Sequence, residues 1–320
     1  MSRRKTLIML VLSLFCFSGS LLVTQKFPSY FPEPVYALDS VSQEQILLGR
    51  ALFYDPILSS DNTISCASCH SPYNAFAHTD HDLSHGINDE IGTRNAPALF
   101  NLAWQKNLMW DGASNHLDVQ ALAPITHPGE MNESIGNIVE KLRLKSGYAK
   151  LFSKAYGNNE ITSKRILKAL TAFQLTLISA NAKYDRVQKG EEQFTVQEFS
   201  GYRLFKTHCN TCHAEPLFTN HSFANNGLPI DTTLRDYGRW KVTQRPQDSL
   251  LFKVPSLRNL SYTFPYMHDG RFKKLNEVLA HYAAGITTSE TLAPELQQGI
   301  KLSSNEKADI IAFLLTLNDQ

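Results

Sequence analysis

Two short motifs constrain this chain more than any other feature, because each dictates a covalently bound group. Both motifs read Cys-x-x-Cys-His, and they comprise Cys66, Cys69 and His70 and, later, Cys209, Cys212 and His213. This pattern is the attachment signature of c-type haem. The cysteines form thioethers with the haem, and the histidine places its imidazole beneath the iron. The two motifs use every cysteine except Cys16. That usage disfavours chance, a redox dithiol or half a zinc site, and it predicts two haem c groups.

The chain is long enough and apolar enough for two compact domains. It has 320 residues, of which 42% are hydrophobic and 19% are charged, and domains commonly contain 50–250 residues. Its formal net charge of +1 provides no general attraction for nucleic acid or acidic membranes. We therefore expect no nucleic-acid partner.

The N-terminus resembles an export signal. Arg3, Arg4 and Lys5 precede an apolar run over residues 7–23. This run is long for a signal peptide and marginal for a membrane span, so an uncleaved anchor is the alternative. We assign residues 1–37 to this segment together with a linker rich in proline and aromatic residues. Either alternative places the remaining chain outside the cytoplasm, in the periplasm, where c-type haem is attached.

The chain contains an internal repeat of one helix followed by one haem motif. Capping boxes, in which a hydroxyl residue precedes Glu or Gln by three positions, predict helix starts at Ser42 and Thr195. Both predicted helices contain Gly-x-x-Leu-Phe, at Gly49–Phe53 and Gly201–Phe205, and both precede a haem motif. The simplest explanation is two cytochrome c-like domains packed around an interdomain interface.

Helical patterns also dominate the rest of the chain. Helical periodicity covers Ile135–Ala155 and Thr162–Ile178, and a capping box at Ser303 begins a final amphipathic helix. Strand-like alternation is scarce, so the fold is predicted to be mainly α. We assign residues 38–190 to an N-terminal haem domain and residues 191–320 to a C-terminal one.

Several short motifs accompany the haem motifs in a fixed order. They are Arg94-Asn95-Ala96-Pro97, Trp110-Asp111-Gly112, Gln120-Ala121, Pro124, Glu130-Met131, the stretches at 253–259 and 263–270, and Glu277-Val278. This set resembles the bacterial di-haem cytochrome c peroxidases and the related MauG-type enzymes, which oxidise tryptophans of a partner protein. The resemblance extends from about residue 47 to the C-terminus. Its leading implication is a peroxidase that reduces hydrogen peroxide to water with electrons from a c-type cytochrome or a small copper protein.

The resemblance assigns roles to individual residues. His70 resembles the proximal ligand of the peroxidatic haem, and His213 resembles that of the electron-transfer haem. Gln120 and Glu130 match the peroxide pocket, where a desolvated carboxylate can move a proton between the peroxide oxygens. Trp110 matches a relay between the haems. The structural alternatives are a helix cap for Glu130, a surface amide for Gln120 and core packing for Trp110.

The same resemblance implies a calcium ion between the domains. Asn95 and the backbone carbonyls of Thr263 and Pro265 match its ligands, and oxygen ligands of this kind suit calcium. The alternative is an ordinary turn built from Asn and Pro.

A histidine ligand for the resting peroxidatic iron is less well specified. Peroxidases of this family often use a histidine from the loop after the first haem motif, and His85 lies in that loop. Its spacing to Arg94 is longer than in the family pattern. His78 and His81 are competing candidates, and a solvated loop histidine is the structural alternative.

The relay haem departs from the peroxidase pattern. Peroxidases usually place a methionine ligand seventeen residues after the proline of a Thr-x-Pro motif, and counting from Pro265 reaches Tyr282. Tyrosine here resembles the MauG type. A search for a nearby methionine suggests Met267 as the ligand instead. Met267 falls within a turn, however, where a packing role is expected. A thioether raises the reduction potential, whereas phenolate stabilises ferric and higher states.

Two rival functions follow from these residues. Tyr282 favours MauG-like oxidation of aromatic residues in a partner protein. A non-catalytic di-haem electron carrier is the non-enzymatic rival, and the acid–base residues Gln120 and Glu130 argue against it. The resemblance leaves a homodimer open.

Overall fold

The computed structural model describes residues 27–36 and 41–319, and helices dominate these residues. The helices are α1 (Gln43–Tyr54), α2 (Cys66–Cys69), α3 (Leu117–Gln120), α4 (Leu122–Thr126), α5 (Ile135–Arg143), α6 (Ser146–Tyr156), α7 (Ser163–Leu175), α8 (Lys183–Gln188), α9 (Val196–His208), α10 (Trp240–Thr243), α11 (Leu275–Ala280) and α12 (Ser304–Leu315). Within the described ranges, extended strand is limited to β1 (Phe223–Ala224) and β2 (Phe252–Lys253), which pair antiparallel. The predicted mainly α fold is confirmed.

Local capping signals set the helix starts as predicted. Ser42 Oγ accepts from the backbone N–H of Gln45 at 3.2 Å, and the Gln45 side chain accepts from the Ser42 N–H at 3.0 Å. Thr195 and Ser303 form the same reciprocal boxes at the starts of α9 and α12. Because these bonds satisfy N–H groups that have no partner inside the helix, they fix where each helix begins.

The single periodic stretch predicted over Ile135–Ala155 is two helices. α5 ends at Arg143, and Lys145 leaves the helical region with φ −99° and ψ 103° before α6 begins. Ser146 and Gly147 follow, and both have weaker helix propensity than alanine. Continuous apolar periodicity did not reveal this break.

The internal repeat includes a second helix in each half. α1 packs against α7, and α9 packs against α12. A Cβ atom at Gly49 would overlap the carbonyl oxygen of Ala169 on α7, and a Cβ atom at Gly201 would overlap that of Asp309 on α12. The glycine of Gly-x-x-Leu-Phe therefore permits close helix contact. Each half consists of a first helix, a haem motif and a closing helix.

Two separate hydrophobic cores accompany the two halves. The first surrounds α1 and α7 and includes Leu52 and Phe152, whereas the second surrounds α9 and α12 and includes Phe205 and Phe313. Along the chain the second core begins at Tyr184, although Leu217 packs in the first. This position lies a few residues ahead of the predicted boundary at 190.

The stretch at residues 27–36, predicted as a linker, packs into the fold. The Phe31 ring lies edge-on to Trp104 with centroids 5.0 Å apart. The Tyr30 hydroxyl donates to the Asp185 carboxylate at 2.8 Å. The aromatic residues that suggested a linker composition instead have partners in both halves of the molecule.

The predicted export signal or anchor lies largely in residues 1–26, outside the described residues. Among residues 27–36 and 41–319, no helix combines the length and apolar character needed to cross a membrane.

Candidate di-haem site

One cavity of about 700 Å³ contains both haem motifs on its wall. We call it the haem cavity; its lining includes Cys66, Cys69, His70, Cys209, Cys212 and His213. The first motif forms α2 and its C-cap, and the second directly follows α9. The repeated helices therefore position both attachment sites on the wall of one shared cavity.

Each motif histidine has the environment of an iron ligand. His70 Nδ1 lies 3.1 Å from the Phe76 carbonyl oxygen, and His213 Nδ1 lies 3.1 Å from that of Pro255. Burial lowers the pKa of both imidazoles to about 4, so both are neutral near pH 7. An Nδ1–H that donates to a carbonyl fixes the tautomer and leaves Nε2 as the ligand atom.

The motif cysteines are free thiols, as haem attachment requires. All four are unpaired in the described chain. Burial is the main cause that raises the pKa of Cys66 and of Cys209 to about 12. Thiols at the correct spacing, neutral histidines and a large shared cavity together fit two covalently attached haem groups.

Glu130 lies on the cavity wall beside the first haem motif. Its charge contributes to the raised pKa of the Cys69 thiol. Burial raises the pKa of Glu130 above its usual range, and His127 partly offsets this effect. Ser134, rather than Glu130, caps α5. The structure therefore gives the cap role to another residue, and Glu130 lines the haem cavity.

Gln120 lies at the end of α3 and lines the same cavity. Its amide Nε2 donates to the Met109 sulfur at 3.4 Å. Met109 also lines the cavity and Gln120 is half-buried, so this contact favours a place on the cavity wall over the surface-amide alternative.

The main chain of the Glu130 segment is held by the loop that follows the first motif. The Ile87 N–H donates to the Glu130 carbonyl at 2.8 Å. A Cβ atom at Gly86 would lie 2.5 Å from the Glu130 Cα, so this loop position must be small. The loop thus fixes the position of the Glu130 backbone beside the cavity.

Trp110 is held from both halves of the molecule. Its indole N–H donates to the Asn95 carbonyl at 2.9 Å, and its own carbonyl accepts from the Lys253 N–H at 2.7 Å. The Asn95 N–H donates in turn to the His268 carbonyl at 2.7 Å. Trp110 lines the haem cavity, a location compatible with both packing and electron transfer.

The three residues of the predicted calcium site all line the haem cavity, and calcium binding stays a prediction. Asn95 donates through Nδ2 to the Asp82 carbonyl at 3.2 Å. Its amide oxygen is the atom that a calcium ion would use. Thr263 and Pro265 line the haem cavity. Across the described ranges, no group of three or more His, Cys, Asp or Glu side chains is arranged as a metal site.

The loop histidines form a row that ends at the cavity. The His85 ring stacks on His81 with centroids 4.0 Å apart, and His81 lies 5.4 Å from His78. The Cys69 thiol donates to the His85 carbonyl at 3.3 Å. Of these three histidines, His85 is the one that lines the haem cavity. Its position favours it over its neighbours as an iron ligand, and ligation stays a prediction.

Tyr282 lies on the cavity wall beside the second haem motif. It occupies a π-helical turn, His281–Gly285, that follows α11. Burial, together with the nearby Cys209 and Cys212 thiols, raises its pKa to about 12, although a hydrogen bond from Asn226 lowers it. A phenolate at this position therefore needs a cation close to its oxygen.

Met267 is adjacent to Tyr282 in the cavity. Its sulfur accepts from the Asn226 amide at 3.4 Å, so one asparagine side chain interacts with both candidate ligands. The turn holds Met267 at φ +75°.

A second internal repeat was missed in the sequence. Met109-Trp110-Asp111-Gly112 and Met267-His268-Asp269-Gly270 both read Met-x-Asp-Gly. Both methionines have positive φ, both turns close with an isolated antiparallel bridge, and both sulfurs accept from a side-chain amide. Alignment of the two halves of the chain could have revealed this repeat and, with it, the position of Met109.

Comparison with known proteins identifies the family. The sequence profile described as "Di-haem cytochrome c peroxidase" matches residues 43–193. The methylamine utilization protein MauG of Methylorubrum extorquens is 37% identical over 302 residues, covering 91% of this chain and 82% of that protein. The chain belongs to the di-haem cytochrome c peroxidase family. Cytochrome c peroxidase Ccp of Escherichia coli is 34% identical over 306 residues, covering 91% of this chain and 62% of that protein.

Solved structures agree with this membership. The crystal structure of a MauG-like protein associated with microbial copper homeostasis has a TM-score of 0.83 and 33% identity, covering 92% of this chain and 95% of that one. The di-haem peroxidase BthA of Burkholderia thailandensis has a TM-score of 0.75 at 22% identity, covering 88% of this chain and 87% of that one, and supports the fold alone. The predicted family and enzyme class are confirmed: the protein is an oxidoreductase that acts on peroxide. Family membership implies two haem c groups.

Proposed function

We propose that this enzyme reduces hydrogen peroxide to water at the haem held by His70, using electrons that an external protein donor delivers through the haem held by His213. The observation that carries this proposal is the asymmetry of the haem cavity. Glu130 acts on the Cys69 thiol of the first motif, whereas Tyr282 is affected by the Cys209 and Cys212 thiols of the second. Gln120 lines the same cavity. The haem iron supplies the site where peroxide is held and reduced.

Glu130 moves the proton in this proposal. As a carboxylate it would accept a proton from one peroxide oxygen and return it to the other, which would leave as water. Two electrons from the external donor, delivered through the haem, and two protons would convert the remaining oxygen into the second water. Burial raises its pKa, and this brings the proton affinity of the carboxylate closer to that required for transfer near neutral pH. Gln120, held through Nε2 by Met109, directs its amide oxygen away from Met109 to orient the peroxide.

Trp110 connects the two halves for electron transfer. Its main-chain bond with Lys253 and its indole bond to Asn95 hold the ring at a fixed place in the cavity wall. The donor is a c-type cytochrome or a small copper protein. We place the enzyme in the periplasm, since the N-terminal sequence resembles an export signal and c-type haem is attached there.

Tyr282 favours a second candidate function, MauG-like oxidation of aromatic residues in a partner protein. Phenolate ligation would lower the potential of the His213 haem and would help the protein retain oxidising equivalents. A relative named MauG is 37% identical over most of this chain, which supports the same candidate. The two functions differ in the donor and share the peroxide pocket.

Replacement of Tyr282 by Met distinguishes these candidates. A thioether raises the reduction potential, so Y282M should turn over reduced cytochrome c faster and should lose its oxidising equivalents sooner after one equivalent of peroxide. Stopped-flow absorbance measures both properties. M267L is the matched control, because Met267 shares the Asn226 contact; an effect of M267L with none of Y282M would show that the tyrosine is not the ligand.

The rate of the peroxide reaction should fall at low pH, and the midpoint of that fall should lie above the usual pKa of a glutamate. Glu130 acts as a base, so the rate falls as pH decreases through its pKa, and burial raises that pKa above the ordinary value of about 4.3. We expect kcat/KM for peroxide to decline at a higher pH than ordinary glutamate titration allows. A pH profile that remains flat down to about pH 4.3 would exclude Glu130 as this base.

Steady-state turnover with peroxide and several donors tests the proposal as a whole. A cytochrome c peroxidase oxidises reduced cytochrome c, a MauG-like enzyme is poor with that donor, and an electron carrier has no peroxide turnover at all. If turnover with cytochrome c appears only after reductive activation, that result would support His85 as a ligand of the resting iron.

A further inference from the structure

Lys253 places an enclosed positive charge on the wall of the haem cavity. It belongs to β2 in the C-terminal half and lines the cavity. Its ammonium donates to the Gln105 amide oxygen at 2.5 Å and to the Asn107 carbonyl at 3.2 Å. Both partners come from the N-terminal half, and both are neutral. Burial lowers the pKa of Lys253 to about 8, as expected for a charge without a close counter-ion.

The other cationic side chains of the cavity wall have carboxylate partners. Arg94 pairs with Asp111 at 2.6 Å and with Asp236 at 2.5 Å, and Lys241 pairs with Asp236 at 3.2 Å. Within residues 27–36 and 41–319, Lys253 has no ion pair of this kind. Lys253 is therefore a half-buried residue with an enclosed ammonium that its described neighbours do not neutralise.

The remaining charged and titratable neighbours do not compensate for Lys253. Asp111 raises its pKa, but the Asp111 carboxylate is already bonded by Arg94 and by the Ala113 N–H. Burial, with Lys253 and the exposed Lys106, lowers the pKa of His221 to about 4. His221 is thus neutral near pH 7, and its Nε2 is enclosed without a hydrogen-bond partner. The net local charge of this wall is positive.

A buried unpaired ammonium is costly, and an anion at the same wall removes most of that cost. Haem c carries propionate carboxylates along one edge, and the family binds two such groups in this cavity. We propose that Lys253 binds a propionate of the His213 haem. This assignment goes beyond the proposed function, because it concerns how the cofactor is held and tuned whichever donor the enzyme uses.

The chain connectivity selects the His213 haem over the His70 haem. Pro255, two residues after Lys253, accepts from His213 Nδ1 at 3.1 Å. Val254 accepts from the Thr219 hydroxyl at 2.6 Å. The strand that presents Lys253 is therefore part of the frame that fixes the His213 imidazole. Lys253 then joins the propionate to Gln105 and Asn107 across the domain interface.

This contact has two electrostatic consequences. A positive charge beside the haem disfavours the ferric state, so Lys253 raises the reduction potential of the His213 haem. The ammonium also lowers the pKa of the propionate. The propionate consequently stays ionised between about pH 5 and pH 7. Lys253, with a pKa of about 8, stays protonated over the same range, so the potential changes little there.

Potentiometric titration of the full-length, haem-loaded protein tests the proposal. The two haems are followed separately by their absorption and electron paramagnetic resonance signals. In K253M, we expect the potential of the His213 haem to fall and to become pH-dependent, decreasing as the pH rises and the propionate ionises. K241M is the matched control, since Lys241 lines the same cavity but has Asp236 as its partner; it should retain the wild-type pH profile.

K253R keeps the positive charge, so its reduction potential should show the same pH profile as the wild type. This variant separates the loss of charge from a general disturbance of folding. A K253M potential with the pH dependence of the wild type would overturn the proposal. A pH-dependent potential in K253R would overturn it as well. If only the His70 haem responds to K253M, the assignment to the His213 haem is wrong.

Discussion

Replacement of Glu130 by Gln should lower kcat/KM for hydrogen peroxide by about 10²–10⁴-fold, the range that a positioned general acid–base commonly contributes. Gln is nearly isosteric but cannot accept and return a proton. The loss should appear in the reaction of peroxide with the enzyme and leave later electron delivery unchanged. Stopped-flow mixing with excess peroxide measures the first step directly.

Glu295→Gln is the matched control for this substitution. Glu295 also lines the haem cavity, and its charge contributes to the raised pKa of Cys212 beside the second motif. It is a carboxylate on the side of the second motif, but it is exposed and lacks the burial that raises the pKa of Glu130. Equal losses in E130Q and E295Q would mean that a general charge effect, rather than proton transfer by Glu130, controls the rate.

Replacement of Gly201 by Ala should destabilise the second haem domain by about 2–3 kcal/mol, the cost of overpacking a close contact. A Cβ atom there would overlap the Asp309 carbonyl oxygen and would lie 3.0 Å from the Phe313 Cβ. Because both obstacles belong to α12, α9 and α12 must separate. Gly49→Ala should affect α1 and α7 in the same way, through Ala169.

The control for these variants is Gly147→Ala. Gly147 is in α6 and has no neighbouring atom within 4 Å of a built Cβ, so the substitution should stabilise by up to about 1 kcal/mol through helix propensity. Urea unfolding of the haem-loaded proteins measures all three variants. A Gly201→Ala midpoint equal to that of the wild type would contradict the close helix contact.

Local signals in the sequence were sufficient for much of the fold. The capping boxes at Ser42, Thr195 and Ser303 depend on bonds between residues three positions apart, so they could be predicted without tertiary information. The Gly-x-x-Leu-Phe repeat indicated two related units for the same reason. The break at Lys145 was missed because apolar periodicity continues across it.

The site depends on contacts between distant segments, and sequence reasoning reached it unevenly. Family motifs located Gln120 and Glu130, but spacing alone could not separate His85 from His78 and His81. The folded loop makes that distinction by bringing His85 to the cavity. Nothing in the sequence indicated that Lys253 is important. Its partners Gln105 and Asn107 are neutral and lie more than a hundred positions away in the chain, so only the folded structure shows that no described carboxylate pairs with it.

The separate roles of the two sides of the haem cavity are tested most directly by one comparison. The rate constant for the first reaction with hydrogen peroxide should be measured by stopped-flow in the wild type, E130Q and Y282M. We predict a large decrease in E130Q and a rate close to the wild type in Y282M. A decrease of similar size in both variants, or an unchanged rate in E130Q, would contradict the assignment of peroxide chemistry to the His70 side.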